Sequence, residues 1–318
     1  MDTVAIVLKA PQELALRRLT LSPPGDGDVV VDIDWSGIST GTERLLWSGR
    51  MPPFPGMGYP LVPGYEAVGR VAEAGAQSGR RVGDAVFVPG GRCFGPMDGQ
   101  EVRGLFGGAA SRLVVPGSRA VRIDGTIGER GVLLALAATA WHAIAAPGAA
   151  PPDLIIGHGV LGRLLARLAI VAGAAPPTVW ERNDTRRSGA EGYAVLSPDA
   201  DDRRDYRAIY DASGDGSLLD SLIQRLAPGG EIVLAGFYAE RLSFSFPPAF
   251  MREARLRVAA EWREADLFAV AEMVSEGTLC LDGLITHRAG VQQAEQAYRT
   301  AFEDSACLKM ILDWRASA

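Results

Sequence analysis

The sequence predicts an α/β protein with two architectures: a barrel-like, mainly β domain, and a doubly wound parallel sheet. Three observations carry this. The first 120 residues hold short β-branched runs separated by Gly, Pro and Asp, the pattern of short strands joined by tight turns. Beyond residue 150 strand and helix patterns alternate through short links, which implies parallel pairing. Between the two lies Asp153-Leu154-Ile155-Ile156-Gly157-His158-Gly159-Val160-Leu161-Gly162. There an apolar run passes through Gly-x-Gly-x-x-Gly directly into a helical pattern.

Taken in order, the expected first strands are Val4 to Lys9, Val29 to Ile33, Ala67 to Ala72, Ala85 to Val88 and Arg112 to Val115. Turn clusters such as Pro23-Pro24-Gly25-Asp26-Gly27 and Val82-Gly83-Asp84 bound them. Met51 to Pro63 carries five prolines with Phe54, Met57 and Tyr59. It reads either as a packed surface loop or as an apolar substrate-binding lip. A helix is expected from Glu129 through Ala146. After the glycine loop, Leu161, Leu164, Leu165, Leu168 and Val171 recur on one helical face. Further strands are expected at Pro177 to Glu181, Tyr193 to Leu196, Tyr206 to Ala212, Glu231 to Ala235 and Arg255 to Ala260. A helix at Leu218 to Leu226 is closed by Pro228-Gly229-Gly230. The tail reads as strand, helix, strand over Leu284 to His287, Val291 to Phe302 and Leu308 to Trp314.

Composition narrows the function classes. The chain has 318 residues, is 47% hydrophobic and 22% charged, ordinary values for a globular protein large enough for two domains. A net charge of −6 argues against nucleic acid as a partner. Of the basic residues only Lys9 and Lys309 are lysines. Cys93, Cys280 and Cys307 are far apart and odd in number, which fits a reducing, cytoplasmic compartment rather than a disulfide framework. Met1 to Ala10 lacks the charged start and apolar core of a signal peptide. The longest apolar run, Val132 to Ala146, is broken by Thr139 and His142, so no integral membrane segment is expected.

The glycine loop points to a dinucleotide. Gly157 permits the turn, Gly159 lets a pyrophosphate approach the backbone, and Gly162 lets helix and strand pack closely. The helix start at Val160 and Leu161 presents free N–H groups to phosphate. Glu181 closes the second strand, where an acid can take the adenosine ribose hydroxyls. Ligands sit at the carboxyl ends of such strands, so Gly157, Glu181, Ser213, Gly214, Gly236 and Phe237 should line one crevice; His158, Arg182 and Thr139 are further coenzyme-binding candidates. His158, within the turn, is expected near solvent.

The order and spacing of several runs resemble the medium-chain dehydrogenase/reductase superfamily over nearly the whole chain. They are Gly37-Ile38-Ser39-Thr40-Gly41-Thr42-Glu43, Pro63-Gly64-Tyr65-Glu66-Ala67-Val68-Gly69, Val82-Gly83-Asp84-Ala85-Val86, Thr139-Ala140, the Gly157 to Gly162 loop, Leu226-Ala227-Pro228-Gly229-Gly230 and Leu284-Ile285-Thr286-His287-Arg288. The resemblance implies a GroES-like catalytic barrel over 1–123, a Rossmann nucleotide-binding domain over 124–266, and a C-terminal return over 267–318 that completes the catalytic domain. It also implies a homo-oligomer. The zinc enzymes of the superfamily carry Gly-Ile-Cys-Gly-Thr-Asp, where Ser39 or Thr40 falls here. Their Gly-His-Glu is here Gly64-Tyr65-Glu66, and their third cysteine is here Ala135. A catalytic zinc needs three N, S or O protein ligands. Glu66 alone cannot hold one, so no metal is expected. The runs Trp35 to Glu43 and Gly56 to Glu66 look like the zinc-less branch that acts on a chlorin alcohol in bacteriochlorophyll synthesis. That implies oxidation of a 3-(1-hydroxyethyl) group to 3-acetyl, with NAD as acceptor.

Without a metal, a side chain must hold the alcohol and receive its proton. Tyr65 stands where a zinc ligand would; it could contact the substrate oxygen, or be a buried aromatic bonded to a carbonyl. As a base its pKa would have to fall from near 10. Glu66 either acts on Tyr65 or binds backbone N–H groups. Thr42 matches the family's proton-relay hydroxyl and equally suits a turn. His142 is a further catalytic candidate, or a satisfied core histidine on an apolar helix. Lys309 is expected in a salt bridge or close to the coenzyme. Phe54, Met57 and Tyr59, with Phe237, are candidates for a wall against a flat chlorin. Two other functions compete. Arg182, Arg186 and Arg187 beside Glu181 keep open a zinc-less, NADPH-dependent enoyl or quinone reductase. Loss of the zinc ligands keeps open a non-catalytic nucleotide-binding protein.

Overall fold

The computed structural model describes residues 1–104 and 106–316. In chain order it begins with β1 (Asp2–Ala10), β2 (Glu13–Thr20), β3 (Asp28–Ile38), α1 (Thr42–Ser48), β4 (Ala67–Ala74), β5 (Ala85–Val88), β6 (Arg112–Pro116) and β7 (Val121–Arg122). There follow α2 (Leu134–Ile144), β8 (Leu154–Ile156), α3 (Val160–Val171), β9 (Thr178–Trp180), β10 (Ala194–Leu196), β11 (Tyr206–Asp211), α4 (Leu219–Ile223), β12 (Leu226–Leu234), α5 (Phe246–Met251), β13 (Arg255–Val258) and α6 (Glu264–Ser275). The chain closes with β14 (His287–Gly290), α7 (Ala294–Glu303) and β15 (Met310–Asp313).

Two compact units result: Met1–Ala135 with Leu284–Ala318, and Leu136–Gly283. The boundaries expected at 123/124 and 266/267 lie elsewhere for identifiable reasons. The 3-10 turns of Gly125–Leu133 pack on β3, β4 and β5 of the first unit. In the second unit, α6 is tied to α2 by His142 and Asp266.

The first unit is built around β3. Val29, Val30 and Val31 point alternately to opposite faces and are all fully buried, so both faces of the strand are covered. β3 pairs antiparallel with β4 on one edge, and with β6 and then β15 along the other. Among the described residues this gives a seven-stranded sheet, and β1 and β2 form a separate hairpin. Strand β2 was not expected: Arg17 and Arg18 interrupt its alternation and face solvent, so pairing with β1 determines it. Helix α1 was not expected either, because seven residues give little periodicity to read.

The second unit is a parallel sheet of order β10-β9-β8-β11-β12-β13. The order reverses between β8 and β11, which makes a topological switch point at their carboxyl ends. Helix α3 carries the expected apolar residues, although Val171 is 38% exposed at its end. Several boundaries differ from expectation. The helix expected from Glu129 begins at Leu134, since 3-10 turns precede it. Helix α4 stops at Ile223, because Leu226 already pairs with Tyr206 and opens β12. Helices α5 and α6 fall where no helix was expected. In the tail β14 starts at His287 rather than Leu284, and Val291–Gln293 is a 3-10 turn leading into α7. Among the described residues no helix is long and apolar enough to cross a membrane.

Candidate active site

In the second unit the glycine loop follows β8 directly. Gly157 has φ +94°, a conformation side chains rarely adopt. A Cβ on Gly162 would lie 1.8 Å from the Gly157 carbonyl oxygen, whereas one on Gly159 would meet nothing within 4 Å. Gly162 is therefore needed by the fold, and Gly159 leaves open space beside the first N–H groups of α3. That is a cradle of the kind a pyrophosphate fits. Glu181, at the end of β9, accepts from the backbone N–H of His158 at 3.0 Å and of Asn183 at 2.8 Å. Each carboxylate oxygen keeps a further lone pair for a ligand hydroxyl.

His158 is not near solvent, as expected, but fully buried. Its Nδ1–H donates to the Arg186 carbonyl at 2.6 Å, and its Nε2 accepts from the Tyr193 hydroxyl at 2.8 Å. Burial pushes its pKa down to about 4, so the ring is neutral. The covering segment is pinned by Arg163, which donates to the carbonyls of His158, Arg186, Ser188 and Gly189. His158 thus ties the glycine loop to the segment that covers it. Arg182 is exposed and pairs with Asp215 at 3.4 Å, and Arg187 pairs with Asp184. Glu191 pairs with Arg167 on α3.

The other residues expected along this edge do come together. The Ser213 N–H and hydroxyl both donate to Asp211 at the end of β11, at 2.8 and 2.6 Å. A Cβ on Gly157 would lie 3.7 Å from the Ser213 Cα, and one on Gly236 would lie 2.9 Å from the Gly214 N. Phe237 is half exposed beside them. Thr139 lies half-buried on α2. His142, one turn on, bonds through Nδ1 to Asp266 at 2.8 Å. Asp266 also accepts the Arg263 N–H and so caps α6. One nitrogen of His142 is committed to joining two helices.

In the first unit, Tyr65 reaches the turn that follows β3. Its hydroxyl donates to Ser39 Oγ at 2.6 Å and stands 3.5 Å from Thr42 Oγ1. The Phe106 ring lies beside it, centroids 5.5 Å apart. Burial, with the neighbouring Glu66 carboxylate, pushes the Tyr65 pKa upward. That is the reverse of what a base needs, so the phenol keeps its proton and donates it in a hydrogen bond. Glu66 acts on Tyr65 through its charge and also has a partner that neither expectation named. It is fully buried, and its oxygens lie 2.9 and 2.7 Å from Lys309 Nζ. The ammonium also donates to the Ile38 carbonyl at 3.3 Å. A Cβ on Gly37 would fall 2.2 Å from Glu66 Oε2, so that glycine makes room for the carboxylate. Of the two expected places for Lys309, the salt bridge is the one observed.

Two residues that the sequence reading did not single out complete this region. Glu43 is fully buried; it accepts the Ser39 N–H at 3.0 Å and the Tyr298 hydroxyl at 2.7 Å. Burial raises its pKa to about 7. The apolar face of α7, Ala294, Ala297, Tyr298, Ala301 and Phe302, has helical spacing and could have marked Tyr298 as buried. Phe54, Met57 and Tyr59 are partly buried against the core of this unit, with the Tyr59 hydroxyl donating to the Leu46 carbonyl. Of the tail motif, Arg288 pairs with Glu129 and His287 bonds to Thr286. Among the described residues no group of three His, Cys, Asp or Glu side chains is arranged to hold a metal ion.

Comparison with known proteins fits this layout. Residues 25–125 match the alcohol dehydrogenase GroES-like domain. Over 318 residues the chain is 60% identical to the 2-desacetyl-2-hydroxyethyl bacteriochlorophyllide A dehydrogenase of Cereibacter sphaeroides, covering 100% of both chains. The chain belongs to that family of the medium-chain dehydrogenase/reductase superfamily. The family member of Rhodobacter capsulatus is 58% identical over 315 residues, 99% of each chain. Among solved structures of the superfamily, L-idonate 5-dehydrogenase of Escherichia coli superposes with a TM-score of 0.85 at 18% identity, covering 98% of each chain. As a medium-chain dehydrogenase the chain pairs a GroES-like unit with a Rossmann unit.

Proposed function

We propose that this dehydrogenase oxidises the 3-(1-hydroxyethyl) group of a chlorin or bacteriochlorin pigment precursor to 3-acetyl, with NAD as hydride acceptor and without catalytic zinc. We assign it to the cytoplasm, as a homo-oligomer. The observation that carries the substrate is full-length identity of 60% to a relative named for that hydroxyethyl pigment. Phe54, Met57 and Tyr59 would offer the pigment an apolar, adaptable surface.

Bound NAD supplies the carbon-centred hydride acceptor. The chain's own residues handle the oxygen and its proton. The alcohol would donate to Tyr65 Oη, whose proton already points at Ser39 Oγ. As the carbonyl forms, the alcohol proton would enter this chain: Tyr65 passes its own to Ser39 Oγ and Ser39 releases its own to water, so both hydroxyls end neutral as they began. Thr42 Oγ1 lies at the edge of hydrogen-bonding reach of the same phenol. The donor set does not fit zinc. Ser39, Thr40 and Tyr65 offer hydroxyls, Ala135 offers nothing, and Glu66 is spent on Lys309. Stoichiometric, tightly bound zinc in the purified protein would overturn this part.

Glu181 supports NAD over NADP, because a 2′-phosphate would approach a carboxylate of like charge. Arg182 and Arg187, which could offset it, are paired with Asp215 and Asp184. Turnover of the hydroxyethyl pigment should therefore be faster with NAD. Glu181→Gln should narrow that preference roughly tenfold by removing the repulsion, while keeping an acceptor for only one of the His158 and Asn183 N–H groups. Equal use of NADP by the wild type would favour the reductase reading. Nucleotide binding with no turnover of the pigment alcohol would favour the non-catalytic one.

A further inference from the structure

The hydroxyls around Tyr65 are anchored from an unexpected direction. Ser39, which accepts the Tyr65 proton, is itself held by Glu43. The Ser39 N–H donates to Glu43 Oε1 at 3.0 Å, and the Glu43 N–H returns to the Ser39 carbonyl at 3.2 Å. The 39–43 turn is thus closed from both ends. The other oxygen of Glu43 accepts from Tyr298 on α7 at 2.7 Å. The Tyr298 ring is itself fixed between Trp47 and Phe302, with centroids 6.1 and 5.7 Å away. Burying a carboxylate at 0% exposure is costly unless its acceptors are filled. Here each oxygen has a donor, and one donor belongs to the turn that presents Ser39 Oγ.

We propose that Glu43 and Tyr298 are positioning residues for the hydroxyl relay: together they hold the 39–42 turn so that Ser39 Oγ faces Tyr65. This rests on Tyr65 taking part in proton handling. The charge state of Glu43 matters to the hold. Ionised, it accepts from Ser39 and Tyr298 at once; protonated, one oxygen becomes a donor and one of those bonds must be given up or reversed. Burial raises its pKa to about 7; the Ser39 and Tyr298 bonds and the Lys309 charge lower it, and the Glu66 charge raises it. The held form therefore dominates above neutrality and weakens below it.

Tyr298→Phe removes one hydroxyl and leaves the ring. In protein labelled with ¹³Cζ-tyrosine, the Tyr65 resonance should move in the variant, because the Ser39 acceptor shifts. That readout needs no substrate, so it separates this inference from the substrate assignment, which fails if wild-type protein does not turn over the pigment alcohol. With turnover, kcat should fall about tenfold to a hundredfold while the KM for the alcohol stays within about twofold. The acidic limb of the kcat profile should move to higher pH, because Glu43 loses a donor that favoured its charge. Glu43→Gln keeps a carbonyl for the Ser39 N–H but cannot titrate, so that limb should vanish. An unmoved Tyr65 resonance in a folded Tyr298→Phe protein overturns the proposal. If that variant does not fold, an unmoved resonance in folded Glu43→Leu, which offers the Ser39 N–H no acceptor, does the same.

Discussion

Gly159→Val is expected to abolish nucleotide binding and leave the fold intact. A Cβ at this position meets nothing within 4 Å of the protein, and the backbone there is extended, φ −74° and ψ −170°, which valine tolerates. The branched side chain would instead fill the space beside the α3 N-terminus that the pyrophosphate needs. Titration calorimetry with NAD should show affinity lost by at least about a hundredfold, with a melting curve close to wild type. Gly162→Ala should do the opposite. Its Cβ would sit 1.8 Å from the Gly157 carbonyl, so helix and strand must separate and melting should fall sharply. Normal affinity in Gly159→Val would refute the placement of the phosphates.

Lys309→Met should be the most destabilising substitution at the hydroxyl site. It leaves the Glu66 carboxylate at 0% exposure with no cation, and breaking a buried pair from one side costs about 3–5 kcal/mol. The cost should depend on pH. In the native protein burial already raises the Glu66 pKa, and Lys309 opposes it. Without Lys309 the folded-state pKa rises further, while the unfolded value stays near the ordinary ~4.3. The folded variant then holds a proton that the unfolded chain releases, so stability falls as pH rises through that window. Urea unfolding should therefore show a larger deficit at pH 8 than at pH 5. Adding Glu66→Gln should recover part of it. A deficit unchanged across that range would mean that Glu66 is not the unpaired charge.

How much of this was legible in the sequence depended on the range of the interactions. The β8–α3 unit was readable because one strand, one turn and one helix carry the signal within twenty residues, and the glycines have local geometric duties. Glu181 was legible for the same reason. His158 was misplaced because its burial is imposed by the 186–193 segment and by Arg163, which no spacing around residue 158 reveals. The partners of Glu66 and Glu43 were out of reach: Lys309 and Tyr298 stand 243 and 255 residues away in sequence. A lone buried acid in a Gly-Thr-Glu run carries no mark of the donor that neutralises it. Strand β2 escaped because its pairing with β1, not its own alternation, makes it a strand.

The first unit is interrupted by the whole of the second, and this orders events during synthesis. Residues 136–283 leave the ribosome before β14, α7 and β15 exist. The parallel sheet can therefore close while β3 still has an open edge where β15 will pair. In that interval Glu66 has no ammonium and Glu43 has no phenol. The nascent N-terminal segment thus waits with two acids in a half-built core, free to hydrate or take up protons. Arrival of residues 298 and 309 both seals the sheet and neutralises those acids. A chain cut after residue 283 should retain the parallel sheet and leave β3 with an open edge and its two acids without partners.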